Sequence, residues 1–340
     1  MSLEQVLLER KKNPQGEFFV NLFEWCNLSC SFCWQDHDDW SGIDSISQRA
    51  EEIVETLKKD PRTDFDINIM GGELFADEVP DQAFLDYEML VQYIFFHTKL
   101  LGKNVQINWV SNLVFEKDRA LKLVQRLQSQ GYNTPIATSY DPRGRFTPKT
   151  RETFFKNFKV FSQSKLLKNI SVVLTRPNIQ AILKGDSGLS EIYENYSTPL
   201  FFDFYSPEKS HEINSPSDRE LLDCLHYIYN KYPKSSPIKE LVGQNFNYMT
   251  CRSSYIIGPR GFTGKCKSLV SKDLIESFKT QHKLEDNSRM EQEFVSKMQC
   301  STCRHFDRCG LSCFLQHDFG ARSELDECFM RLFYDSLENV

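Results

Sequence analysis

From Glu17 to Pro207, short apolar runs alternate with longer stretches in which apolar residues recur at helical spacing. The short runs predict strands at 17–24, 65–70, 105–110, 135–139, 170–175 and 200–205. The longer stretches predict helices, one around the stripe Ala50, Ile53, Val54 and Leu57 and others at 81–101, 116–130 and 151–165. This order predicts an α/β fold in which crossover helices join parallel strands, with too few strands for a closed eight-stranded barrel.

A stretch rich in serine and proline separates this region from the remainder of the chain. It extends from Ser206-Pro207 to Ser215-Pro216-Ser217, and such residues punctuate chains between folded units. We therefore predict three parts: a barrel region at 1–207, a bridging region at 208–250 and a cysteine-rich domain at 251–340.

The residues after this boundary show one clear helical stripe and then little periodicity. The stripe at 221–228 includes Cys224, which we expect to be a small apolar core residue rather than a metal ligand. From Cys251 onward the chain is dense in cysteine and shows no clear strand or helix period until an expected helix at 325–337.

The overall composition is that of an ordinary globular chain, with 40% of the 340 residues hydrophobic and 26% charged. A net charge of -6 and a pI near 5.7 count against broad binding to phosphate backbones, so no nucleic-acid partner is expected. No run of about 18 apolar residues predicts a membrane helix and no secretion signal is recognisable, so we expect a cytoplasmic protein with no membrane partner. In a reducing compartment the 11 cysteines are expected to be metal ligands rather than disulfides.

Three cysteines stand close together directly after the first predicted strand. They are Cys26, Cys30 and Cys33, in the run CNLSCSFC. Three thiolates on one loop can hold three irons of a four-iron cluster and leave the fourth iron open. A zinc site is the alternative, but it needs four ligands; the next cysteine is Cys224, and the nearby His37 lies in an acidic run.

The spacing C-x3-C-x-aromatic-C, in which Phe32 is the aromatic residue, resembles the signature of the radical S-adenosylmethionine enzymes. The resemblance implies an open (β/α)6 partial barrel and assigns Phe32 to the cofactor site. In that family the open iron chelates the amino and carboxylate groups of S-adenosylmethionine. An electron from the cluster, supplied by an external reductant such as flavodoxin or ferredoxin, then cleaves the cofactor to a 5′-deoxyadenosyl radical.

Two further loops follow predicted strands and add to this resemblance. Gly71, Gly72 and Glu73 come after the second strand and resemble the family's GGE motif, which binds the amino group of S-adenosylmethionine. Asn112 follows the third strand and is a candidate for the same pocket, although turn formation is its default role. The carboxyl ends of neighbouring parallel strands meet at one edge, which is where barrel active sites are built.

Residues after the fourth predicted strand are candidates to bind the rest of the cofactor. Ser139 and Asp141 could hydrogen-bond its ribose or its amino acid, although the chain has Pro142 where related enzymes often have glycine. Arg151, ahead of Arg143 or Arg145, is the candidate partner of the cofactor carboxylate. The alternative is that all three arginines lie on the surface at the start of a helix.

The C-terminal cysteines follow the pattern C-x9-G-x4-C, gap, C-x2-C-x5-C-x3-C, gap, C. The pattern resembles the SPASM extension of radical enzymes, although a pair of zinc sites is the competing interpretation. The resemblance implies two auxiliary clusters, and therefore three [4Fe-4S] clusters in all. The outer cluster would be held by Cys300, Cys303, Cys309 and Cys328. The inner cluster would be held by Cys251, Cys266 and Cys313, with its fourth ligand left open.

Relatives with this extension mature peptides and proteins, so a peptide or protein substrate is implied. We predict oxidative modification, as a crosslink, of a ribosomally made peptide. A sulfatase-type maturase is an alternative, but Lys267 follows Cys266 where those enzymes carry aspartate. A radical dehydrogenase of small molecules and a non-catalytic electron carrier or redox sensor are the others.

Substrate contacts are expected on the sixth predicted strand. Phe201, Asp203 and Tyr205 alternate there, and Asp203 or Tyr205 is the candidate proton acceptor, while core packing is the default for Phe201. Only 16 residues precede the first predicted strand, so recognition of a leader peptide is expected to involve a separate partner protein or the catalytic domains themselves.

Overall fold

The computed structural model of the chain describes residues 15–205, 213–243, 254–264, 295–306, 309 and 328–338. Its strands are β1 (Gln15–Asn21), β2 (Asp64–Met70), β3 (Asn104–Ser111), β4 (Ile136–Ser139), β5 (Leu167–Leu174), β6 (Leu200–Phe204), β7 (Ser254–Gly258) and β8 (Gly261–Gly264). They form one sheet in the order β6-β5-β4-β3-β2-β1-β7-β8. The neighbours from β6 to β7 are parallel and curl into an open half-barrel, while β8 forms an antiparallel hairpin with β7.

Helices connect the parallel strands and cover one face of the sheet. They are α1 (Ile46–Lys59), α2 (Asp81–Leu100), α3 (Arg119–Ser129), α4 (Pro148–Gln163), α5 (Arg176–Leu183), α6 (Ser187–Asn195), α7 (Asp218–Lys231), α8 (Ile238–Val242) and α9 (Phe329–Glu338). Within the described ranges, none of these helices combines the length and the apolar character that crossing a bilayer requires.

The predicted fold class is confirmed, and the six predicted strands correspond to β1 to β6. Alternation places Phe18 and Val20 of β1 under the helices, fully buried, while Phe19 between them faces the interior of the half-barrel. The predicted first strand extended to residue 24, but the sheet pairing of β1 ends at Asn21. The apolar residues that follow, Leu22 and Phe23, are fully buried in the loop after the strand.

The sequence did not predict β7 and β8, which follow Cys251 in a region where no strand period was recognised. Residues Ser254–Gly258 are only 5 in number, too short to show a convincing alternation. Their main-chain pairing with β1, in the register Glu17 opposite Ser254, extends the barrel sheet by one parallel strand. A strand from the region assigned to the cysteine-rich domain therefore belongs to the barrel sheet. The three-part division of the chain stays a prediction.

The predicted boundary at Ser215-Pro216-Ser217 is also the start of a helix. The Ser217 side chain accepts a hydrogen bond from the Glu220 backbone N–H, and the Glu220 carboxylate reaches back to the Ser217 N–H, which forms a capping box for α7. On the buried face of α7, Cys224 is fully buried among apolar side chains, which confirms the core role predicted for it. The last helix, α9, packs on α7, with Phe333 against His226 at 5.5 Å between ring centroids.

Polar side chains cross the interior face of the half-barrel in a row. Ser254 Oγ lies 3.4 Å from Glu17 Oε2, Asn68 Nδ2 donates to Glu17 Oε1 at 3.3 Å, and Asn108 Nδ2 donates to Asn68 Oδ1 at 3.2 Å. The four residues come from four adjacent strands, β7, β1, β2 and β3. The interior is therefore lined with amide and carboxylate groups, whereas the face under the helices is apolar.

A buried ion pair and an aromatic stack hold β7 against the edge of β1. The Tyr255 hydroxyl donates to Asp60 Oδ2 at 2.6 Å, and Arg62 Nε contacts the same carboxylate at 3.0 and 3.1 Å. Burial raises the pKa of Asp60, but the hydrogen bonds from Arg62 and Tyr255 outweigh it and bring the pKa to about 2. The Tyr255 ring also stacks on Phe18 at 4.9 Å.

We expect Tyr255→Phe to lower the free energy of unfolding by about 1–3 kcal/mol, because the buried carboxylate of Asp60 loses a donor. Tyr132→Phe is the control, since the Tyr132 hydroxyl makes no hydrogen bond among the described residues. Denaturant unfolding of the two variants and the parent measures the difference. Equal stability of all three would show that the hydroxyl does not hold β7.

Candidate cofactor and metal site

The candidate residues lie on loops that follow successive parallel strands, at one edge of the sheet. The cysteine loop follows β1, the Gly-Gly-Glu loop follows β2, Asn112 follows β3, and the loop from Tyr140 to Phe146 follows β4. The expectation that these loops share one edge is therefore confirmed by the parallel pairing of β1 to β4.

The Gly-Gly-Glu loop is docked onto the chain that leads into the cysteine loop. Gly72 N donates to Phe23 O at 2.8 Å, and Glu73 N donates to Trp25 O at 3.0 Å. A Cβ atom on Gly72 would lie 1.8 Å from Trp25 O, which is far inside contact distance. A side chain at this position would therefore push the two loops apart, so the need for glycine here is set by the approach of one backbone to another.

The Glu73 carboxylate is fully buried and bonded to the end of β3. It accepts hydrogen bonds from Ser111 Oγ at 2.8 Å, from Asn112 N at 2.5 Å and from Phe75 N at 3.0 Å. Burial raises its pKa to about 7, although these three donors favour the ionised form. In this arrangement Glu73 ties the β2 loop to the β3 loop. Its predicted contact with the cofactor amino group stays a prediction.

Asn112 connects Glu73 with the cysteine loop. Its Nδ2 donates to Asn27 Oδ1 at 2.9 Å and lies 3.7 Å from Cys26 Sγ, while its Oδ1 accepts from Val114 N at 2.7 Å. Asn112 therefore has the turn role that is its default and also contacts the first predicted metal ligand. Its partner Asn27 was not among the predicted site residues, although its place inside the CNLSC run was a usable signal.

The three thiols of the cysteine loop are partly buried. Burial, with a contribution from the Glu73 carboxylate, raises the pKa of the Cys26 thiol to about 12. Burial also raises the pKa of Cys30, which the Arg145 guanidinium opposes. Thiols in such a place stay protonated unless a cation stabilises the thiolate, so the donor set fits a metal centre. Beside them, Gln35 Nε2 donates to Gly71 O at 2.8 Å, a contact that sequence reasoning missed.

Asp141 and Arg145 form a buried ion pair next to the cysteine loop. Arg145 Nε donates to Asp141 Oδ2 at 2.6 Å, and the other carboxylate oxygen accepts from Val173 N at 2.8 Å and Asn178 Nδ2 at 3.0 Å. The Arg145 guanidinium carbon lies 5.5 Å from the centroid of the Phe32 ring. Asp141 is therefore a structural partner of Arg145, and Arg145 is the cation beside Cys30 and Phe32.

Arg151, which the sequence ranked first, makes its contacts elsewhere. Its Nη2 donates to the Tyr140 hydroxyl at 2.7 Å, and that hydroxyl donates to Asp186 at the start of α6. Ser139 is half-buried at the end of β4, with its backbone opposite Ser171. Arg145 is brought to the cysteine loop because Gly144, with φ of +78°, turns the chain so that Gly144 O accepts from Ser31 N at 2.9 Å. The signal for it was a glycine and an arginine close behind Asp141.

The predicted catalytic residues lie at the β6 side of the same site. Asp203 is opposite Val173 in the sheet, and its charge contributes to the raised pKa of Asp141. Tyr205 is buried directly after the end of β6. Phe201 is half-buried, with Lys239 Nζ at 5.8 Å from its ring centroid. A catalytic role for Asp203 or Tyr205 stays a prediction.

Four of the seven C-terminal cysteines lie in described residues, and they are the four assigned to the outer cluster: Cys300, Cys303, Cys309 and Cys328. Cys328 immediately precedes α9, where the Met330 and Arg331 amides favour its thiolate and the charge of Cys303 opposes it. Burial is the larger effect and raises the pKa of Cys328. The ligands assigned to the inner cluster, Cys251, Cys266 and Cys313, fall outside the described residues, as does Lys267.

A charged cluster that the sequence did not reveal joins the cysteine turn to α9. His305 Nε2 lies 2.5 Å from Asp335 Oδ1, and Arg304 Nη2 contacts the same oxygen at 2.6 Å and Glu338 Oε2 at 3.4 Å. His305, Asp335 and Glu338 could geometrically surround a cation. The Arg304 guanidinium already compensates both carboxylates, so we assign the cluster a structural role.

No protein-family model matches the chain, and no curated protein matches it significantly. Among solved structures, its fold is similar to that of anSMEcpe with bound AdoMet, in a histidine-tagged and a native form. Each has a TM-score of 0.63 at 15% sequence identity and covers 96% of this chain. The likeness covers 99% of the tagged protein and 96% of the native one. At this identity the likeness establishes the fold, which is the α/β half-barrel that the sequence predicted.

We expect Asn112→Ala to lower the free energy of unfolding by about 1–3 kcal/mol, because the amide that joins Asn27 and Val114 is lost. The variant should also retain less iron after anaerobic reconstitution, since the cysteine loop loses its anchor. Asn104→Ala is the matched control: Asn104 is an exposed asparagine of the same β3, its side chain bonded only to Asp64, and its loss should cost less than about 0.5 kcal/mol. Denaturation and iron assays that rank the two variants equally would contradict this role for Asn112.

Proposed function

We propose that the chain is a radical S-adenosylmethionine enzyme that oxidatively modifies a residue within a peptide or protein. The observation that carries the proposal is the assembly of Cys26, Cys30 and Cys33, the Gly-Gly-Glu loop and the Asp141–Arg145 pair at one edge of a half-barrel. The fold of anSMEcpe, whose structures contain AdoMet, supports it. Neither a zinc knuckle nor a plain electron carrier requires the docked Gly-Gly-Glu loop.

The residues of the chain would hold and orient the reactants. Cys26, Cys30 and Cys33 would ligate three irons, and the half-buried position of their loop would limit access of water. Arg145, whose charge is already compensated by Asp141, offers its remaining N–H donors to a carboxylate beside the cysteine loop. The bound cluster and S-adenosylmethionine together supply the radical chemistry.

The amide-lined interior of the half-barrel supports a peptide or protein substrate. Asn68 and Asn108 on the inner face can each donate and accept hydrogen bonds, as peptide groups do. anSMEcpe is an anaerobic sulfatase-maturating enzyme, so its fold brings the sulfatase-type alternative closer than the sequence did. Against it stands Lys267 at the position where such enzymes carry aspartate. We therefore propose oxidation of a peptide or protein residue, and the bond formed separates the two kinds of maturase.

The three-cluster content, the need for an external flavodoxin- or ferredoxin-like reductant, a separate leader-recognition protein and a cytoplasmic location are further parts of the proposal. Two auxiliary clusters would accept the electron that remains after a hydrogen atom has been removed from the substrate. The juxtaposition of Cys303 and Cys328 supports the outer one.

Anaerobic reconstitution tests the proposal directly. We expect roughly 12 irons per chain and formation of 5′-deoxyadenosine, and we expect the triple replacement of Cys26, Cys30 and Cys33 by Ala to remove about four irons and all 5′-deoxyadenosine. Cys224→Ala is the control, because that cysteine is packed in the core. Stoichiometric zinc with little iron would overturn the proposal.

The product then decides between the two kinds of maturase. A crosslink removes two hydrogens and prevents mass-spectrometric fragmentation between the joined residues, whereas an aldehyde reacts with hydrazines. A reconstituted enzyme that cleaves S-adenosylmethionine but changes no peptide encoded beside its own gene would point to a small-molecule substrate.

Arg145 and Arg151 can be separated by cofactor affinity. We expect Arg145→Gln to weaken S-adenosylmethionine binding by about 1–3 kcal/mol, the scale for losing a charged hydrogen-bond partner. Arg151→Gln should leave the affinity unchanged, because the Arg151 guanidinium is bonded to Tyr140. Calorimetry on variants with parental iron content measures both. The reverse ranking would restore the assignment made from the sequence.

A further inference from the structure

The outer face of α2 carries a continuous apolar stripe at the protein surface. Its side chains are Leu85, Met89, Tyr93, Phe96 and Leu100, with 53, 53, 37, 62 and 69% of their surface exposed. They are five of the nine large apolar side chains that are exposed in the described part of the chain. Such clustering on one helix is typical of an interaction surface, whereas single exposed apolar residues are ordinary.

The stripe is long, straight and separate from the face that packs on the sheet. Its spacing of four, four, three and four residues keeps the five side chains on one side of the helix over about 22 Å. The opposite side of α2 is filled by Phe84, Tyr87, Leu90, Val91 and Ile94, all buried in the core. The fold is therefore satisfied without the stripe, whose exposure the packing of this chain does not require.

Charged residues along α2 are arranged with opposite signs in its two halves. Asp86 and Glu88 lie in the first half and His97 and Lys99 in the second. Residues 86 and 97, and likewise 88 and 99, are separated by eleven positions, which is close to three turns, so each pair lies on one flank of the stripe. Glu88 also pairs with Arg126 at 2.7 Å, whereas Asp86 forms no ion pair among the described residues.

We propose that the chain forms a two-fold symmetric dimer in which α2 packs antiparallel against α2 of a second copy. A two-fold axis between Gln92 and Tyr93 sets Leu85 opposite the partner's Leu100 and Met89 opposite the partner's Phe96. The same axis keeps each flank on its own side, so Asp86 meets the partner's His97 and Glu88 meets the partner's Lys99. The stripe and its charges are thus self-complementary, as an isologous interface requires.

This arrangement leaves both candidate sites open. Helix α2 runs antiparallel to its neighbouring strand β2, so the cysteine loop lies toward the N-terminal end of α2. Antiparallel pairing of two α2 helices therefore places the two cysteine loops at opposite ends of the dimer. The proposal is independent of the chemistry assigned to the chain, because none of the residues in the stripe belongs to the candidate site.

Analytical ultracentrifugation of the reconstituted full-length protein over a range of concentrations tests the proposal. We expect a dimer, and we expect Met89→Glu with Phe96→Glu to raise the dimer dissociation constant at least about 100-fold. The matched control is Val160→Glu with Leu183→Glu, two apolar residues of other helices that are 40 and 38% exposed. The control should remain dimeric. A parent protein that is monomeric at about 100 µM, a concentration far above the dissociation constants of stable dimers, overturns the proposal.

A charge exchange tests the register. Asp86→Lys and His97→Glu should each raise the dissociation constant about tenfold, because each places like charges opposite one another in the dimer, and the double variant should return to within about threefold of the parent. Losses that simply add in the double variant would show that Asp86 does not face His97 of the second copy, and would overturn the antiparallel two-fold arrangement.

Discussion

The close approach of two backbones, at Gly72 and Trp25, is the constraint on which the candidate site depends. A Cβ atom at Gly72 would lie 1.8 Å from Trp25 O, so the contact exists only because residue 72 has no side chain. Once the loops after β1 and β2 are docked, Glu73 is carried into the interior and meets Ser111 and Asn112 at the end of β3. The cysteine loop is thereby fixed to three adjacent strands by backbone contacts and one carboxylate.

Each buried charge near the cysteines has partners that stabilise it. Glu73 has three donors, and Asp141 has Arg145 together with two neutral donors. Removing one partner of such a pair leaves an uncompensated charge in the interior, which costs far more than an exposed pair contributes. These groups therefore hold the loops rigidly around the thiols. The thiols themselves have pKa values raised by burial, and a bound cation is what would stabilise them as thiolates.

The outer surface and the C-terminal region extend this picture. The turn that contains Cys300 and Cys303 is joined to α9 through Arg304, His305 and Asp335, and α9 packs on α7 of the barrel side. The second group of cysteines is thus connected to the half-barrel by packed helices rather than by a loose linker. On the far side, α2 exposes an apolar stripe whose charges match those of a second copy, and it does so away from both groups of cysteines.

The sequence by itself determined the strand and helix order, since β1 to β6 and their helices have strong periodic signals, and it identified the cysteine loop and Cys224 correctly as loop and core. Tertiary structure decided the rest. β7 is too short to show a period and exists because β1 offers an unpaired edge. Arg145 replaces Arg151 beside Cys30 because of a turn at Gly144 with positive φ, and Glu73 faces inward because Ser111 and Asn112 donate to it. Motifs follow from residue type and spacing, whereas the direction of a side chain depends on partners distant in the chain.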